Sequence, residues 1–143
     1  MQPQRRHTDF AVYDRLGRPL LWVEVKRIWG LAINVATEYR HWYLENTREQ
    51  APFLLVTPDN GFLWAANASD TSYPQETLDM QRELAVYFER TGIHISKVRH
   101  QPFEMIVAWW LGDLLDRVHL PVEFSRIGLG SLSGGQIFQE RAS

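Results

Sequence analysis

The sequence predicts an α/β domain in which a central mixed β-sheet is flanked by helices, and three observations carry that prediction. The first is a β-hairpin near the N-terminus: Asp9-Phe10-Ala11-Val12-Tyr13 and Leu20 through Lys26 read as strands around the turn-forming Asp14-Arg15-Leu16-Gly17-Arg18-Pro19. The second is a helical stretch followed by a short, continuous apolar run, Phe53–Thr57. The third is a strongly amphipathic helix late in the chain, with Phe103, Val107, Trp110, Leu111, Leu114 and Val118 on one stripe.

Each element follows from local chemistry. After Lys26, Arg27-Ile28-Trp29-Gly30 turns the chain, and a helix is expected from Asn34, a capping residue, to about Glu49. Its stripe Val35, Tyr39, Trp42 and Tyr43 is expected to pack on the sheet, and Ala51-Pro52 ends it. Phe53–Thr57 is a strand, Pro58-Asp59-Asn60-Gly61 a hairpin turn and Phe62–Ala66 the return strand. Beyond the polar loop at 67–71, Ser72 and Gln75 around Pro74 suggest a capping box opening a helix that stops at Gly92. The amphipathic helix runs from Pro102 to about His119, covering the sheet or alternatively forming a dimer seam. The chain reads as one domain, residues 1–143, with a flexible C-terminal tail from about 122.

Composition narrows the classes. At 45% hydrophobic and 13% aromatic residues the chain buries a core and is not a disordered segment. The absence of cysteine excludes disulfides and thiolate metal sites and accords with a cytoplasmic location. The N-terminus is polar, and the longest apolar run, Ile106–Leu111, is far too short for a membrane span. A net charge of −2 argues against a surface coated for nucleic acid. The distribution is uneven, however: residues 1–50 carry eight Lys/Arg against six Asp/Glu, and residues 51–143 seven against eleven. Arg5, Arg6 and Arg27 in the basic half are therefore candidates for local phosphate contact.

The chemistry-bearing feature lies in the hairpin. Glu24 and Lys26 interrupt an apolar strand and share one of its faces, opposite Val23 and Val25. Ionised groups on a core strand carry a desolvation cost that marks a candidate functional site. If Tyr13 pairs with Leu20, Asp9 lies opposite Glu24. Two carboxylates so close repel unless a cation sits between them, and a divalent ion with oxygen ligands resolves the repulsion.

Asp9, fourteen intervening residues, then Glu24-x-Lys26 across a hairpin, followed by a helix and a strand, resembles the PD-(D/E)XK (restriction-endonuclease-like) nuclease superfamily. Stretches similar to small bacterial members of it occur at Asp9–Lys26, Phe53–Trp64 and Phe103–Leu115. The resemblance implies a restriction-endonuclease-like core and a Mg²⁺- or Mn²⁺-dependent endonuclease hydrolysing DNA. Asp9, Glu24 and the Val25 carbonyl would hold the metal, and Lys26 would orient or activate water or stabilise the phosphate. It also implies auxiliary roles for Glu38 and Arg40 in the following helix, and His7 is an auxiliary candidate from its place two residues before Asp9. Two departures stand out: Thr8 occupies the position where the superfamily often has Pro, and eight residues before Asp9 leave no room for its usual first helix and strand. The alternative is thus a catalytically degenerate DNA-binding or assembly subunit of a restriction, defence or repair system. Specificity would come from a homodimer or a partner subunit.

Other signals are weaker. Leu132-Ser133-Gly134-Gly135-Gln136 matches the signature loop of ATP-binding-cassette ATPases, but no Gly is followed by Lys, so ATP is not expected. The histidines lack metal-ligand spacing. Trp29 and Trp64 suit base stacking, but core or interface burial is the ordinary role for each.

Overall fold

The computed structural model describes residues 8–45 and 49–140, so His7, Arg5 and Arg6 lie outside the described residues. Six strands form one mixed sheet: β1 (Phe10–Tyr13), β2 (Pro19–Val25), β3 (Phe53–Val56), β4 (Asn60–Trp64), β5 (Glu76–Asp79) and β6 (Gln136–Gln139), in the order β5-β4-β3-β2-β1-β6. Among the described residues only β2 and β3 pair in parallel, across helix α1 (Ile33–Leu44); the remaining pairs are antiparallel. Helices α2 (Met80–Thr91), α3 (His100–Asp116) and the short α4 (Val122–Arg126) complete the chain. No helix among the described residues is long and apolar enough to cross a membrane. The result is the expected α/β architecture, a central mixed sheet flanked by helices.

Strand alternation divides the sheet into two faces. Val12, Leu21, Val23, Leu54 and Val56 point to one, where Phe103, Val107, Trp110, Leu111 and Leu114 of α3 bury them together with Leu84 and Phe88 of α2. The stripe of α3 therefore covers the sheet, except for Val118, which lies beyond the helix end and is exposed. Ala11, Trp22, Phe53, Leu55, Phe62 and Trp64 point to the other face, under Ala36 and Tyr43 of α1.

The hairpin register follows the expected diagonal from Phe10↔Val23 to Val12↔Leu21, then shifts so that Tyr13 meets Pro19 rather than Leu20. The turn explains the shift. The Asp14 carboxylate accepts the N–H groups of Leu16 and Arg18 (both 2.9 Å), while Asp14 N–H donates to the Arg18 carbonyl, drawing residue 19 back toward Tyr13.

Three expectations are corrected. The segment at 72–79 is not helical: Glu76–Asp79 alternates in burial and adds an edge strand to β4, and Asp79 is the cap of α2, accepting the Arg82 N–H. The stripe of α1 is rotated: Ala36, Thr37, Arg40 and Tyr43 turn inward, while Val35 and Tyr39 are half-buried and Trp42 is 44% exposed. Small side chains at 36 and 37 let the helix approach the sheet on that side. The C-terminal segment is no flexible tail. Phe124 and Leu132 are fully buried, and β6 pairs with β1 along its whole length. The Leu132–Gln136 loop lies against the hairpin so closely that a Cβ on Gly135 would come within 2.8 Å of Val12 Cγ1 and 3.0 Å of the Leu132 carbonyl. β6 flanks β1, and the α2–α3 layer covers one face of the sheet.

Candidate active site

β1 and β2 hold the two carboxylates by reciprocal hydrogen bonds. The Asp9 N–H donates to Glu24 Oε1 at 3.0 Å, and the Val25 N–H donates to Asp9 Oδ2 at 2.8 Å. Each carboxylate thus continues the ladder where the backbone pairing of β1 ends, and both are buried, Asp9 at 2% and Glu24 at 0% exposure. Charge-assisted bonds of this kind are roughly twice as strong as neutral ones and favour the ionised form. The second oxygen of Glu24 ion-pairs with Lys26 Nζ at 3.3 Å.

Lys26 is the link between this buried pair and solvent. Its side chain is 24% exposed, its ammonium donates to the Tyr43 hydroxyl at 3.4 Å, and it lies 5.0 Å from the Tyr39 ring centre and 5.6 Å from that of Tyr43. Burial alone would lower its pKa, but the Glu24 carboxylate and the Tyr43 hydroxyl together outweigh it and hold the pKa above the ordinary lysine value. Lys26 therefore stays protonated at neutral pH. It is a fixed positive charge and not a proton acceptor.

Beside it opens a cleft of about 570 Å³ lined by Lys26, Val35, Glu38, Tyr39, Trp42 and Tyr43. A groove of about 470 Å³ along the end of α2 is equally apolar, and what distinguishes the Lys26 cleft is that it opens beside the Glu24–Lys26 ion pair. The loop after Lys26 is pinned by Asp59, whose carboxylate accepts the Gly30 N–H at 3.1 Å and the Thr57 hydroxyl at 3.0 Å. Gly30 adopts φ +65° there, a left-handed conformation that disfavours side chains.

The structure brings Asp9, Glu24, Val25 and Lys26 together and sets Glu38, exposed, on the cleft wall. Arg40 is turned elsewhere. Its guanidinium donates to the carbonyls of Ser69 (2.7 Å) and Ala68 (3.0 Å) and packs 5.6 Å from the Trp64 ring, fastening the loop after β4. Arg27 is exposed beside Lys26, Trp64 is core, and Trp29, 42% exposed, is not part of the core. Tyr39, Trp42 and Tyr43 are the site residues that sequence reasoning assigned to packing alone. Their stripe ambiguity was visible, since Ala36, Thr37 and Arg40 form a second stripe one step around the helix.

Two carboxylates and a strand carbonyl suit Mg²⁺ or Mn²⁺, which complete their shells with water and phosphate oxygens. Among the described residues no group of three or more His, Cys, Asp or Glu is arranged to hold a metal ion. Comparison with protein-family models, curated proteins and solved structures finds no match to this chain.

Proposed function

We propose that this chain is a Mg²⁺- or Mn²⁺-dependent nuclease of the PD-(D/E)XK, restriction-endonuclease-like type, hydrolysing DNA phosphodiester bonds. One observation carries the reading: Asp9 and Glu24, fixed side by side by each other's strand, with Lys26 held protonated against Glu24 at the mouth of a cleft. The succession hairpin, α1, parallel β3 supports the fold assignment.

The residues divide the work. Asp9 and Glu24, with the Val25 carbonyl, would hold the ion, which when bound lowers the pKa of water and neutralises phosphate charge. Lys26, being protonated, offers a preorganised positive charge to the phosphate as negative charge builds on it. Tyr43 keeps the ammonium in place, and the reciprocal bonds to Asp9 and Glu24 hold both carboxyl groups in position.

The near-complete burial of Asp9 and Glu24 favours a second reading, a catalytically degenerate nuclease fold serving as a DNA-binding or assembly subunit. A nicking assay with Mg²⁺ or Mn²⁺ separates the two. Cleavage by the wild type, lost by a hundredfold or more in Asp9→Ala and Lys26→Ala, is the expected result. Equal cleavage by all three would sink the nuclease reading. If neither metal raises the wild-type melting temperature while DNA binding persists, the non-catalytic reading prevails.

A further inference from the structure

We infer that the cleft beside Lys26 is a nucleotide subsite that takes one unpaired base of single-stranded DNA, with the adjoining phosphate against the Lys26 ammonium. The inference rests on the nuclease reading for its choice of a phosphodiester polymer as partner. Val35, Glu38, Tyr39 and Trp42 recur at helical spacing along α1, so they form a continuous wall beside the inward stripe. Trp42 leaves 44% of its surface exposed on that wall. Its ring stands edge-on to Tyr43 at 4.7 Å and 84°, and Tyr43 is itself tied to Lys26. The indole thus presents a stacking surface at the cleft, braced on one edge by Tyr43.

The Lys26 ammonium selects the ligand. An aromatic-walled cleft suits an organic cation as well as a base, but this ammonium already occupies the cation position at the Tyr39 and Tyr43 rings. Glu24 and the Tyr43 hydroxyl take two of its three N–H donors, and the third is offered to a phosphate oxygen. A base inside a duplex is stacked on its neighbours, and to lie on Trp42 it must leave that stack, which favours single-stranded or frayed DNA over intact duplex. Glu38 adds discrimination. As a carboxylate it only accepts hydrogen bonds, and it matches the exocyclic amines of cytosine and adenine, which thymine lacks. With a net charge of −2 the chain has little general attraction for phosphate, so stacking supplies much of the affinity.

The test is fluorescence anisotropy of labelled short oligo(dC), oligo(dA) and oligo(dT), and of a blunt duplex, titrated with the full chain in EDTA. The expected result is tighter binding of oligo(dC) and oligo(dA) than of oligo(dT) or duplex. Salt dependence should be shallow, with a slope near −0.7 per phosphate contacted. Trp42→Ala should weaken oligo(dC) binding about tenfold or more, Trp42→Phe should recover most of the loss, and Glu38→Gln should narrow the gap to oligo(dT). Binding with this Trp42 dependence supports the subsite whether or not Mg²⁺ brings cleavage. Equal affinity of Trp42→Ala and wild type, or equal affinity for duplex, overturns it even where Mg²⁺-dependent cleavage is intact.

Discussion

Beneath α2 and α3 the sheet is packed by Leu, Val, Phe and Trp side chains, whereas on the α1 side the hairpin carries the buried Asp9 and Glu24 and the half-buried Lys26, and α1 itself turns a buried arginine, Arg40, inward. Strand β2 feeds both sides, with Leu21, Val23 and Val25 in the dry face and Trp22 and Glu24, followed by Lys26 just past the strand, on the other. The contrast follows from coverage. Among the described residues three helices lie over one face, but α1 alone covers the other and leaves the far end of β2 open to the cleft. The dry face sets stability, and the thinly covered face has room for groups whose desolvation is offset only by specific partners.

The largest effect expected from breaking this division is on the dry side. Phe103 is fully buried in α3 against the sheet, and Phe103→Ala should cost about 3–5 kcal/mol of unfolding free energy in denaturant titration. If the faces are independent, any rise in melting temperature that Mg²⁺ produces in the wild type should persist, in size, in the variant. Loss of that rise would mean that the carboxylate pair depends on the packing behind it.

A smaller effect tests the C-terminal strand. Gly135→Ala should destabilise the chain by about 1–3 kcal/mol, because the new methyl meets Val12 and the rigid Leu132 carbonyl. A change within 0.5 kcal/mol, the ordinary range for exposed loop positions, would restore the picture of a loosely attached tail. This is the element least legible in the sequence. Gln136–Gln139 is four residues with two glutamines, and only its partner β1, more than a hundred residues earlier, makes it a strand. Glu76–Asp79 was hidden in the same way, its edge pairing with β4 outweighing the capping pattern around Pro74. The hairpin, β3, β4 and the α3 stripe were legible because period and turn chemistry fixed them locally. So was the approach of Asp9 to Glu24, since register follows from turn length and alternation. The cleft was not, because two stripes of α1 competed and the choice between them lay in how closely Ala36 and Thr37 pack.

The smallest effect concerns the charge that joins the two faces to solvent. The Lys26–Glu24 pair lies between an exposed ion pair, worth at most about 1 kcal/mol, and a fully buried one, whose breaking costs about 3–5 kcal/mol. Lys26→Met should therefore cost about 1–2 kcal/mol at neutral pH, by leaving Glu24 buried without its ammonium. The pH dependence identifies the origin of that loss. The Lys26 pKa is raised by Glu24 and Tyr43 above its ordinary 10.5 despite the opposing burial, so the folded state holds this proton more tightly than the unfolded chain. Its contribution is complete below the ordinary value and disappears as pH rises through the folded one. Wild-type stability should thus fall on titration above about pH 10.5, and the Lys26→Met curve should lack this component, converging on the wild type at the alkaline end. Parallel curves would mean that the lysine stabilises through its packed methylenes against Tyr39 and Tyr43, and that the positive charge assigned to the site is not what the fold is holding in place.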